Sequence, residues 1–304
     1  MAGEKMFTRP ARLAAIVPYL WMALFFLLPF LMILKISLSQ TAIAQPPYTP
    51  TFSLDAGFAG LQDLLAQLSL DNFRLILSDA IYTASYVRSL MVALVSTCIL
   101  VVIAYPVAYA MTRLSRGAQS VAMVLVIIPF WTSFLIRIYA WINILQRDGL
   151  LNDVLVGLGI VSSPLALLST DTAMYIGMVY SYFPFMVLPL FATLAKADPA
   201  LLEAAADLGC SRAKAFWLVT VPLSLPGVAA GAVLCFIPIA GEFVIPDLLA
   251  GSDQMMIGQT LWLEFFTNRD WPVASATAIM LLLALLVPLL VYDRIQRRQM
   301  EARA

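Results

Sequence analysis

Six long apolar runs separated by polar connections set the plan of this 304-residue chain, near 13–37, 86–111, 120–145, 172–195, 223–245 and 272–292. Each supplies the roughly 20 mainly apolar residues that a helix needs to cross a hydrocarbon core about 30 Å thick. Lipid leaves no water for unpaired backbone groups and tolerates no open sheet edge, so all six read as helices. The pattern predicts an all-α integral membrane protein with six transmembrane helices. One membrane domain fills residues 13–292, flanked by polar ends at 1–12 and 293–304.

Composition agrees. A chain 62% hydrophobic and 12% charged, with a mean hydropathy of +0.90, would as a soluble domain expose large apolar patches. The formal net charge of zero hides a segregation by side. Lys5, Arg9 and Arg12 precede the first run, Arg113 and Arg116 follow the second, Lys196, Arg212 and Lys214 follow the fourth, and Arg294, Arg297, Arg298 and Arg303 follow the sixth. The alternate connections are acidic, with Asp55, Asp63, Asp71 and Asp79, then Asp148, Asp153 and Asp171, then Asp247, Asp253, Glu264 and Asp270. Lys and Arg in short connections stay cytoplasmic, so both termini are expected in the cytoplasm.

Ala42, Ile43 and Ala44 have the small-x-small form of a signal cleavage site. The preceding apolar run exceeds a signal core of about 7 to 15 residues, however, and cleavage would leave five spans and break the charge alternation. Cys98, Cys210 and Cys235 show no paired spacing, and the chain contains no His, so neither a disulfide framework nor a zinc site is expected, and no metal residues are assigned.

The longest external segment, 39–85, carries a Pro-rich turn at Pro46, Pro47 and Pro50. A helical stripe of Leu61, Leu64, Leu65 and Leu68 follows, read as a surface helix that either packs over the span ends or meets an external partner.

The cytoplasmic connection 196–222 is more specific. Asp198 before Pro199 starts a helix, and Gly209 stops it after residue 208. Ser211 caps a second helix bearing Arg212 and Lys214, so the two pieces form an elbow at Gly209. Glu203 and Asp207 lie four apart on one face, where like charges cost a few tenths of a kcal/mol. Arg212 and Lys214 offset them internally, or basic groups of a docking subunit do so from outside. Ala204, Ala205 and Ala206 permit close approach of another surface and are also plain helix formers.

Glu203, Ala204, Ala205 and Gly209, followed by Leu225 and Pro226, resemble the EAA loop of ATP-binding-cassette importer permeases. The segments LLPFLMILKISLS from Leu27, PFWTSFLIRIYAWINIL from Pro129, YSYFPFMVLPL from Tyr180, GEFVIPDLLAG from Gly241 and NRDWPVASA from Asn268 narrow the likeness to polyamine importer permeases, in particular the first permease of putrescine systems. The resemblance implies a type I importer permease fold in the bacterial inner membrane. It implies that Glu203, Ala204, Ala205, Asp207, Gly209 and Arg212 couple the chain to a cytoplasmic ATPase. The implied partners are a homologous second permease, two ATPase subunits and an external polyamine-binding protein, with no nucleic acid. The chain has no GxxxxGK[ST] phosphate loop, so ATP and Mg are expected on the partner ATPase and no cofactor or catalytic residue here.

A polyamine joins ammonium groups through an apolar stem, so its path needs carboxylates and aromatic faces. Glu242, near the outer end of the fifth run, is the leading carboxylate, with Asp247 and Glu264 accessible beyond it. Arg137, in the third run, is the candidate ion-pair partner of Glu242, in a pair that is structural or part of an outer gate, the alternative being that Glu242 serves the cation path itself. Trp131 and Tyr182 sit within runs beside Pro129 and Pro184 and are the preferred aromatic contacts. Pro184 and Pro189 in the fourth run, and Pro226, Gly227, Gly231, Pro238 and Gly241 in the fifth, mark those spans either as built to bend or as packed closely through small residues.

Rival readings differ in class. A self-sufficient carrier is energetically reasonable, since about 100 mV favours entry of a divalent amine by about 4.6 kcal/mol, but it has no use for an EAA-type loop. A permease of the same superfamily for thiamine, iron or sulfate is the other alternative.

Overall fold

The computed structural model describes residues 9–51, 66–251 and 255–301. The leucine stripe at Leu61, Leu64 and Leu65 lies outside them. Among the described residues five helices are long and apolar enough to cross a membrane: Ile16–Ser37, Ala80–Thr112, Asp171–Leu194, Arg212–Ala240 and Trp271–Arg294. A bent pair, Arg116–Trp131 and Phe134–Gly157, supplies the sixth. The chain divides into two compact units, one of residues 1–80 with 261–283 and the other of residues 81–260 with 284–304.

In the first unit the apolar first span ends at Ser37. A two-residue hairpin follows, Gln40–Thr41 against Tyr48–Thr49. The Lys35 ammonium donates to the Pro50 carbonyl and lies 4.3 Å from the centre of the Tyr48 ring. Asn72, at the start of the helix Asp71–Ser78, donates to the carbonyls of Ser37 and Ser39 at 2.8 and 2.7 Å. Thr41 donates to Asp270 at 2.7 Å, and Asp270 caps the sixth span by accepting from the Val273 amide at 3.1 Å. Phe265 stacks on Trp271 at 5.1 Å.

In the second unit the fourth and fifth spans form the core, with Met174, Met178, Met186, Leu190 and Ile239 fully buried. Thr170 caps the fourth span by accepting from the Ala173 amide at 3.2 Å. The prolines do not interrupt these helices: Asp171–Leu194 runs unbroken through Pro184 and Pro189, and Val221–Ala240 through Pro226 and Pro238. The close-packing alternative has a concrete instance at Gly231. A β-carbon at Gly231 would lie 2.6 Å from the Met186 sulfur and 3.2 Å from its Cα, so only glycine permits the observed approach. The Cys235 thiol adds a bond to the Tyr182 carbonyl at 3.5 Å.

The break falls in the third span instead. Ser115 caps the helix Arg116–Ile127, which tightens into a 3₁₀ turn over Ile128–Trp131 around Pro129. Thr132 and Ser133 are extended, with ψ of 154° and 138°, and the next helix, Phe134–Leu145, leaves at 92°. Proline lacks the amide that would continue the ladder, and Thr132 satisfies the Pro129 carbonyl with its own hydroxyl at 2.7 Å. A single straight span over 120–145 is thus corrected to two pieces.

Candidate coupling loop and cation site

The polar elbow forms as its local signals dictate. Asp198 accepts from the Ala200 amide at 3.0 Å, and the helix runs Ala200–Asp207. It closes on Gly209, whose φ of +77° lies in the left-handed region that a β-carbon penalises. The Gly209 amide donates to Ala206 at 2.9 Å and the Cys210 amide to Ala205 at 2.9 Å, which satisfies the helix-end carbonyls. Ser211 then accepts from the Lys214 amide at 3.4 Å and starts Arg212–Ala215.

Beyond that helix Phe216 meets Tyr105 and Tyr109 of the second span edge-on, at 5.7 and 5.3 Å. Tyr105 also shares a hydrogen bond with Ser224 of the fifth span at 2.9 Å. The loop is therefore anchored to the second span as well as to the fourth and fifth. Spacing alone gave no sign of Tyr105, Tyr109 or Phe216.

Among the described residues the outward surface of this elbow meets no counterpart. Glu203, Ala204, Asp207, Gly209 and Arg212 are exposed and Ala205 half-buried. Leu208, at the tip, is 89% exposed. Among the described residues Glu203 and Asp207 enter no ion pair, so Arg212 and Lys214 do not neutralise them internally.

The cation site is built differently from the expectation. The fifth-span helix stops at Ala240, and Gly241 and Glu242 lie in the turn before Val244–Leu249. Glu242 is thus past the helix rather than within it, because its carboxylate turns back to cap the next helix. It accepts from the amides of Phe243 and Val244 at 3.2 and 3.1 Å. The Tyr182 hydroxyl, from the nearly buried middle of the fourth span, donates to the other oxygen. Asp247 is exposed one turn on.

Arg137 does not pair with Glu242. Three donors already hold that carboxylate, and the Arg137 guanidinium lies instead over two rings, 4.5 Å from Phe130 and 5.6 Å from Phe134. Phe130 meets Phe185 edge-on at 5.4 Å, and Phe185 lies 6.1 Å from Tyr182. The expected ion pair is replaced by an aromatic row, Phe130, Phe185 and Tyr182, with the cation at one end and the carboxylate at the other. Phe185 is exposed along a fourth span that is otherwise mostly buried. Trp131 stands outside the row, 81% exposed at the break.

Arg137 is 9% exposed, and its Nε and Nη1 atoms are buried without a hydrogen-bond partner. An ion at mid-membrane costs about 2.5 to 3.5 kcal/mol on insertion scales, and each cation–π contact returns about 0.5 to 2. Glu264 lies in the other unit and accepts from the Asn268 amide group at 2.9 Å. A further cation went unnoticed in the sequence: Arg88, with a side chain 17% exposed in the second span, pairs with Asp171 at the start of the fourth.

An exposed polar elbow thus joins the fourth and fifth spans, and a capped carboxylate facing aromatic rings lies past the other end of the fifth. Residues 4–300 match the family of binding-protein-dependent transport system inner membrane components, and the chain belongs to that family. It is therefore a multi-pass inner membrane protein. It is 36% identical over 277 residues to the spermidine/putrescine transport system permease protein PotB of Escherichia coli (strain K12), covering 91% of this chain and 94% of that one. It is 38% identical over 218 residues to the protein of the same name from Haemophilus influenzae, covering 72% and 76%. A crystal structure of a bacterial ABC transporter that imports alginate shares the fold at a TM-score of 0.72 and 17% identity, covering 95% of this chain and 96% of that one.

Proposed function

We propose that the chain is one permease subunit of an ATP-driven importer that moves putrescine, spermidine or both into the cytoplasm by alternating access. The observation that carries this reading is the elbow from Glu203 to Arg212, whose acidic pair and apolar tip have no counterpart inside the chain. A cytoplasmic ATPase with a complementary groove is the partner such a surface fits. Two ATPase copies bind ATP and Mg, a homologous second permease completes the membrane core, and an external binding protein delivers the amine. The basic connections and both termini face the cytoplasm in this arrangement, which follows the segregation of Lys and Arg.

ATP-driven closure of the ATPase pair pushes on the elbow. The Phe216 contacts with Tyr105 and Tyr109 and the Tyr105–Ser224 bond carry that push to the second, fourth and fifth spans. In the opened path an ammonium takes the place of the Tyr182 hydroxyl at Glu242, and the apolar stem lies along Phe185. The names of the relatives supply the substrate class, and the carboxylate beside aromatic faces is chemically suited to it.

The test is uptake of labelled putrescine and spermidine by liposomes holding this chain with the second permease, ATPase and binding protein encoded beside it, with ATP inside. Uptake by the full set alone supports the reading. Uptake by the isolated chain would make it a carrier, and ATP hydrolysis without movement of either amine would overturn the substrate.

A further inference from the structure

Arg137 is nine-tenths buried in the third span, and among the described residues no carboxylate is within ion-pair distance of it. Its Nε and Nη1 atoms lack hydrogen-bond partners as well, so the guanidinium is met only by the faces of Phe130 and Phe134. A ring quadrupole attracts a cation without cancelling its charge. The field of Arg137 therefore reaches past Phe130, through surroundings where neither water nor salt screens it well.

In line from that charge stand Phe130, then Phe185 at 5.4 Å from it, then Tyr182 at 6.1 Å from Phe185, and last the Glu242 carboxylate. On the polyamine reading of the Glu242 site, which this presupposes, we infer that Arg137 is a specificity-determining residue that limits the length of amine held there and favours putrescine over spermidine. With bonds of about 1.5 Å, the nitrogens of putrescine stand roughly 6 Å apart. One ammonium at Glu242 then leaves the other no farther along the row than Phe185, the exposed ring. The additional three-carbon arm of spermidine adds roughly 5 Å. It carries the third ammonium past Phe185 toward Phe130, with only that ring between it and the guanidinium. Entry by either end of the molecule gives the same result, and an arm that turned off the row would forfeit the ring contacts. Burial of Arg137 suits this role, because the charge repels through space and needs no contact, and burial keeps it fixed and unscreened.

The test measures equilibrium dialysis of labelled putrescine, spermidine and α,ω-diamines of rising length against the two permeases and ATPase in phosphatidylcholine nanodiscs. Leaving out the binding protein removes its own selectivity, and binding abolished by Glu242→Gln defines the site. Putrescine is expected to bind at least 5-fold more tightly than spermidine, and affinity to fall at least 5-fold from diaminobutane to diaminooctane. A longer stem gains ring contact, so a fall with length runs against the apolar trend and reports the charge. Arg137→Met, which keeps an unbranched stem without the charge, should erase both differences, and Arg137→Lys should retain them. The ratio between amines is read, so a general loss of packing does not imitate the result. The diamine series uses the unsubstituted chain and decides the matter even where Arg137→Met fails to assemble. Affinity that holds or rises with length, or a preference unchanged in Arg137→Met, would overturn the length limit alone. If Glu242→Gln leaves binding intact, or if no amine is retained at all, the cation site is misassigned and the limit falls with it.

Discussion

The Tyr182 hydroxyl reaches from the middle of the fourth span to the Glu242 carboxylate in the turn beyond the fifth. This bond closes the end of the aromatic row and supplies one of the three donors that hold the carboxylate. Tyr182→Phe removes the donor but leaves both backbone amides in place. It should change the KM for polyamine uptake about 10-fold or more, the effect of one hydrogen bond to a charged group of about 1.5 to 3 kcal/mol. ATP hydrolysis stimulated by the binding protein should stay near its original rate.

Glu242→Gln keeps the shape of the side chain and removes its charge. If an ammonium passes this carboxylate, uptake should fall more than 10-fold at matched protein levels in proteoliposomes. Asp247→Asn, at an exposed position one turn on, should change uptake less than 2-fold and serves as the control.

Gly209 holds the elbow in a backbone conformation that costs other residues about 1 to 2 kcal/mol. Gly209→Val should leave the chain inserted and assembled but reduce uptake several-fold while ATP is still hydrolysed. Glu203→Ala should give the same separation of hydrolysis from transport. Paired assays of phosphate release and labelled amine uptake check both.

Gly231→Leu places a side chain where Met186 already stands. Overpacking of this kind costs about 1 to 3 kcal/mol, so the detergent-solubilised protein should melt several degrees lower. Met186→Ala, combined with it, should recover part of the loss. A double-mutant cycle by thermal denaturation measures the coupling.

Asp171→Asn removes the carboxylate that Arg88 meets near the N-terminal end of the second span. The expected cost is about 1 to 2 kcal/mol, because Asp171 is half exposed. Thermal stability should fall while the KM for the amine stays unchanged.

Much of this was legible in local sequence. The six apolar runs match the helices because hydrophobic thickness is a length requirement that composition states directly. The caps at Asp198 and Ser211 and the stop at Gly209 were legible because each depends on one residue and its immediate neighbours. The bend of the third span was not: 120–145 reads as one mainly apolar run despite Pro129, and hydropathy carries no directional information. Nor did the prolines of the fourth and fifth spans behave as breaks, since packing across Gly231 and Met186 outweighed the lost backbone bonds. The partner of Glu242 was misread for a related reason. A half-buried carboxylate takes whatever donors the fold brings to it, and here a tyrosine and two amides arrived where an arginine was a candidate.

The close fit of Gly231 against Met186 has a mechanical consequence. Two helices joined so tightly cannot slide or splay without first losing that contact, so the fourth and fifth spans behave as one strut with the polar elbow as its handle. Under the proposed coupling, work delivered at Gly209 would turn the strut as a whole instead of being absorbed in flexing its members. The range of that stroke is set by whatever the strut swings against, and not by any softness within it.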